Sequence, residues 1–70
     1  MVEDIRINTD YIKLDQFLKW AGSAENGAHA KDLIFSGEVT VNGVTARERG
    51  KKIRPGDIVR VNGIGEFKCI

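Results

Sequence analysis

Seventy residues, 41% apolar and 30% charged, suffice for one small domain, so residues 1–70 are expected to form a single unit whose core contributes roughly 3–5 kcal/mol. No apolar run approaches the ~20 residues that span a bilayer, the lone Cys69 excludes an intrachain disulfide, and one histidine with one cysteine falls short of a metal site. The net charge of +1 hides an asymmetry: residues 1–38 carry four bases and seven acids, whereas residues 39–70 carry seven bases and three acids, a split that suits one face for a polyanion and another that repels it, with ordinary surface charge as the alternative.

Val2, Ile5 and Ile7 alternate with Glu3, Asp4 and Arg6, which predicts a short strand over residues 2–8. Thr9-Asp10 offers capping chemistry for a helix over residues 12–21, in which Leu14, Phe17, Leu18 and Ala21 recur at i, i+3, i+4 and i+7. Gly22 supplies a left-handed stop. Asn26 is a suitable N-cap for a second helix running to Ser36, with Ala30, Leu33 and Ile34 as its apolar stripe and Gly37 at its end. The short connection makes the two helices close neighbours. Val39-Thr40-Val41 then leads into Asn42-Gly43, the strongest short hairpin signal, and Val44-Thr45-Ala46 returns. Pro55-Gly56-Asp57 marks another turn, Ile58–Val61 a strand, Asn62-Gly63 a second hairpin, and Glu66–Ile70 a closing strand. The expected class is α+β: two packed helices on a small antiparallel sheet of three to five short strands.

No serine, acid and histidine are forced together by spacing, and His29 is read as lying on the polar side of the second helix. No enzyme activity, catalytic residue, metal or cofactor is therefore expected. The start of the second helix, Asn26-Gly27-Ala28, offers free amides that suit a phosphate, and Lys31 lies one turn further along the face of Gly27. An ordinary cap beside a solvated lysine explains the same residues. A stronger signal is the run Arg47, Arg49, Lys51, Lys52 and Arg54, interrupted only by Glu48 and Gly50. Such a loop can follow a nucleic-acid backbone, and arginine can hold phosphate in a two-pronged contact. A solubilising loop is the alternative. Lys13, Gln16 and Trp20 share helical spacing beside the apolar stripe; the tryptophan either stacks on an unpaired base or packs against its own domain. Phe35 divides in the same way.

The blocks Lys13-Leu14-Asp15-Gln16-Phe17-Leu18, Ala30-Lys31-Asp32-Leu33-Ile34, Gly37-Glu38-Val39-Thr40-Val41-Asn42-Gly43 and Ile53-Arg54-Pro55-Gly56-Asp57-Ile58-Val59 resemble the RNA-binding domain named after small-subunit ribosomal protein four. The likeness covers about residues 12–62, and a chain consisting of one such domain is similar to the small stand-alone bacterial members of the YaaA/YbcJ type. The resemblance implies an αL RNA-binding motif: two helices on a small, bent antiparallel sheet, with RNA across the helices and an adjoining loop. It assigns Lys13 and Lys31 to the family's basic positions. Where the family usually has an arginine at the start of the second helix, this chain has Gly27. The helix amides and Lys51-Lys52 offset that loss, or affinity is lower.

These features together predict a non-catalytic, cytoplasmic RNA-binding protein, monomeric and without a membrane partner; no basic-then-apolar leader opens the sequence. The expected ligand is structured ribosomal RNA, on the ribosome or an assembly intermediate. Lys13, Lys31, Arg47, Arg49, Lys51, Lys52 and Arg54 are expected to meet phosphates, the Gly27 amide to assist, and Gln16, Asn26 and His29 to add hydrogen bonds. The competing reading is a protein-interaction module docking through Trp20 or Phe35.

Overall fold

The computed structural model describes residues 2–70. In chain order its elements are β1 (Val2–Ile5), β2 (Ile12–Lys13), α1 (Leu14–Trp20), α2 (Gly27–Phe35), β3 (Val39–Val41), β4 (Val44–Thr45), β5 (Lys52–Ile53), β6 (Ile58–Val61) and β7 (Gly65–Cys69). Both helices end on a glycine in the left-handed region, Gly22 at φ 79° and Gly37 at φ 77°. In each case the glycine amide donates three residues back and the next amide five residues back: Gly22 to Lys19 and Ser23 to Leu18, Gly37 to Ile34 and Glu38 to Leu33. This paired closure satisfies carbonyls that the last turn leaves open.

Five strands form one sheet in the order β1-β7-β6-β3-β4, and β2 and β5 form a separate two-stranded ribbon. The helices pack on one face of the larger sheet, as the α+β reading expects. Four strands pair antiparallel, and β1 joins at the edge parallel to β7, Val2 opposite Glu66 and Ile5 opposite Cys69. Strand direction follows from the connection rather than from side-chain alternation, and the whole of the intervening chain serves as the crossover that parallel neighbours require. The first strand is shorter than the expected residues 2–8, although Ile7 still donates to the Ile70 carbonyl at 2.8 Å.

The core is one cluster. Leu14, Phe17 and Leu18 of α1 and Ala30 and Ile34 of α2 meet Val39, Val41, Val59, Val61, Phe67 and Cys69 of the sheet and Ile53 of β5. Burial raises the pKa of the Cys69 thiol, and the Asp57 carboxylate adds to the rise, so this cysteine behaves as an apolar core side chain.

The β3–β4 hairpin turns as its sequence predicts, with positive φ at both Asn42 (52°) and Gly43 (85°). Asn42 also latches the hairpin to the Pro55-Gly56-Asp57 turn. Its Nδ2 donates to Asp57 Oδ1 at 3.0 Å, its Oδ1 accepts from the Ile58 amide at 2.9 Å, and Asp57 Oδ2 accepts from the Arg54 amide at 2.9 Å. Asn42→Ala removes both side-chain bonds and places a less tolerant residue at positive φ. It is expected to cost about 1–3 kcal/mol, and Asn42→Gly less. Urea midpoints for the two variants check this; equal midpoints with the unchanged protein would dismiss the latch.

Candidate nucleic-acid interface

The first helix begins at Leu14 rather than residue 12, because Ile12 and Lys13 pair with Ile53 and Lys52. Nor does Thr9-Asp10 cap it: Thr9 Oγ1 donates to the Tyr11 carbonyl at 2.8 Å. The free amides of α1 are taken by the basic loop instead. Leu14 N donates to the Lys51 carbonyl at 2.8 Å and Asp15 N to the Arg49 carbonyl at 3.0 Å, while Gln16 N donates to Asp15 Oδ1 at 2.8 Å. A helix start needs such acceptors, and drawing them from residues 49–51 fastens the loop backbone to α1. The side chains of Lys51 and Lys52 are left exposed.

Lys13 and Lys52 stand directly opposite each other on the ribbon, both exposed. Lys52 Nζ lies 4.8 Å from the centroid of the Tyr11 ring. Arg47, Lys51, Lys52 and Arg54 line one open groove of about 630 Å³, floored by Val41, Val44 and Ala46 and bordered by Glu48 and Asp57. The loop therefore brings four of its five cations to a single concavity that also touches the Lys13 ribbon.

Arg49 differs. Its Nε donates to Asp15 Oδ2 at 3.1 Å, and the carboxylate is almost fully buried. The other end of the guanidinium reaches the start of α2, where Nη2 stands 3.7 Å from the point a Cβ on Gly27 would occupy. Arg49 thus ties the loop to α1 and brings its guanidinium beside the start of α2, with its side chain about half exposed (47%).

At the head of α2, Asn26 Oδ1 accepts from the His29 amide at 2.9 Å, the predicted cap. His29 Nδ1 accepts from the Glu25 amide at 3.2 Å, so the neutral ring carries its proton on Nε2. Both residues use one polar atom locally and keep a donor outward. Gln16 is exposed on α1. Lys31 is exposed on α2, with Nζ 5.7 Å from the Phe35 ring centroid.

Tyr11 and Asp15 are the residues that sequence reasoning overlooked. Tyr11 is two positions before Lys13, the spacing that puts side chains on one face of an extended segment. Asp15 carries no local signal, since its partner lies 34 residues away. Trp20 is 66% exposed, and its Nε1 donates to the Arg6 carbonyl at 2.9 Å. Among the described residues no three His, Cys, Asp or Glu side chains gather as metal ligands, and no helix is long and apolar enough to cross a membrane.

Comparison with known proteins agrees with this architecture. The chain is 39% identical over 70 residues to the "Probable ribosome maturation protein RlbA" of Bacillus subtilis (strain 168), covering all of this chain and 99% of the relative. The family described as "S4 domain" matches residues 5–68. With nearly every described residue inside that match, and with two helices seated on the expected small sheet, the chain belongs to the S4 domain family.

Proposed function

We propose that this protein is a non-catalytic RNA-binding domain, acting in the cytoplasm as a monomer formed by residues 1–70. Its ligand is structured ribosomal RNA, met on the ribosome or on an assembly intermediate. Ribosome maturation is the role carried in the name of the Bacillus subtilis relative.

The observation that carries the proposal is the position of Lys13. It faces Lys52 across a two-residue ladder, where like charges repel. It also occupies the N-cap of α1 without a side-chain cap bond, at the helix end that disfavours cations. Stability alone selects against a lysine twice at this point. An anionic ligand reverses both terms, because a phosphate between the two ammonium groups turns mutual repulsion into shared attraction.

In this reading Lys13, Lys51, Lys52, Arg47 and Arg54 contact phosphates. Lys31 extends the surface along α2, and Arg49 offers its Nη atoms beside the Gly27 amide. Gln16, the Asn26 amide group and His29 Nε2–H donate to phosphate or 2′-hydroxyl oxygens. RNA helices are recognised mainly by shape and by such contacts, so weak base preference is expected over the stem.

Fluorescence anisotropy with ribosomal RNA stem-loops at increasing salt tests the proposal. Five phosphate contacts give a log–log slope of about −3.5 to −4.5. A flat response would remove the RNA role. Crosslinking in cells should in parallel recover ribosomal RNA or its precursors above background. Recovery of a protein partner that survives nuclease, with no RNA, would favour docking through the exposed Trp20 and Phe35 instead.

A further inference from the structure

The geometry points to a subsite for one unpaired nucleotide at Tyr11, Lys13 and Lys52, with the base stacked on the face of the Tyr11 ring that Lys52 leaves uncovered and its phosphate held between the two lysines. This inference rests on the RNA-binding role and names the part of the RNA that reaches this corner of the domain.

Three observations carry it. First, Tyr11 is an aromatic residue 40% exposed, at the entrance to a ribbon whose outward face is otherwise two lysines. Its backbone is fixed on both sides, by the bond from Thr9 Oγ1 to its carbonyl and by the pairing of Ile12 with Ile53. With the backbone fixed, only the two side-chain torsions of Tyr11 remain to be ordered on stacking, which suits a platform for a base.

Second, Lys52 Nζ already sits over that ring at 4.8 Å. The same lysine lines the basic groove with Arg47, Lys51 and Arg54. A strand following the groove through its phosphates is delivered by Lys52 to the edge of Tyr11. The bases inside an A-form stem are covered by their neighbours and show their faces only at ends, bulges and tails. An aromatic platform beside phosphate-binding lysines is therefore useful to an unpaired nucleotide and useless to the interior of a duplex.

Third, the ring borders a shallow depression lined also by Thr9, Asp10, Ile12 and Lys13. The Asp10 carboxylate repels a phosphate and accepts from a base amino group, as acidic side chains do with cytosine. The depression thus receives the base toward Asp10, while the phosphate stays at its Lys13 end, beside Lys52. This polarity sets the direction in which the nucleotide lies.

The test compares a short RNA stem-loop with blunt ends against the same stem-loop carrying a short unpaired tail at its 5′ or its 3′ end, with 2-aminopurine as the first tail base. The unchanged protein should bind one tailed probe at least about fivefold more tightly than the blunt one, with 2-aminopurine fluorescence quenched on binding. Tyr11→Ala should bring the ratio of tailed to blunt affinity close to one, and Tyr11→Phe should keep it. Tight binding of all probes by the unchanged protein with a ratio of one and no quenching overturns the subsite alone. A wild-type ratio in Tyr11→Ala does the same. Failure to bind any of the probes overturns both the subsite and the RNA-binding role.

Discussion

Lys13→Glu is expected to make the protein more stable and a poorer RNA binder at the same time. On the folding side, the substitution replaces two opposed ammonium groups with a pair of opposite sign across Ile12–Lys13 and Lys52–Ile53, worth about 0.2–1 kcal/mol. It also puts an acid at the N-terminus of α1, which adds about 0.3 kcal/mol in a helix of seven residues. On the binding side, one phosphate contact becomes a repulsion. The salt slope should flatten by about one unit, and affinity should drop on the order of tenfold at physiological salt. Denaturant midpoints and anisotropy on one protein preparation read both effects. Most damaging substitutions lower stability and binding together, so the opposed signs separate a lost contact from a lost fold. A variant that gains stability and still binds RNA as tightly as before would take Lys13 out of the interface.

The second large effect is centred on Asp15. This buried carboxylate accepts from its neighbour's amide through Oδ1 and from Arg49 through Oδ2. Asp15→Ala leaves the Gln16 amide without its acceptor and frees the guanidinium, which is half exposed and finds water. Charge-assisted bonds contribute about 1.5–3 kcal/mol each where they are shielded, and the exposure of Arg49 discounts its share. A total loss of about 2–3 kcal/mol is expected, against roughly 3–5 kcal/mol from the core of a domain this small. The thermal transition should drop and broaden, and the loop from 47 to 54 should become cleavable by trypsin at low temperature. Asp15→Asn keeps an acceptor for the amide and loses only the ion pair, so it should fall midway. If Asp15→Ala melts with the unchanged protein, the carboxylate does not hold the loop.

The sequence was most readable where local chemistry decides the outcome. Gly22, Gly37 and the Asn42-Gly43 turn behave as their residue types demand, because positive φ is a property of single residues. Asn26 caps α2 for the same reason. The harder parts all involve partners distant along the chain. The ribbon of β2 and β5 is two residues long on each side, and β5 is embedded in a basic run, so no alternation betrays it. The α1 amides find carbonyls at 49 and 51 rather than the nearby Thr9-Asp10. The charge run looked uniform in one dimension, yet Arg49 turns inward to Asp15 while its neighbours line the groove. Charge count is visible in sequence; which charge is already engaged depends on a carboxylate delivered from another element.

The place of β7 has a consequence for biosynthesis. It lies between β6 and β1 and bonds to both, so residues 2–5 have no sheet partner until residues 65–69 exist. A nascent chain can form α1 and α2 while still attached to the machine that makes it, but its first strand must wait until residues 65–69 have been made. Closure of the sheet is in that sense a late step for this domain, and until then residues 2–5 wait as a strand without a neighbour.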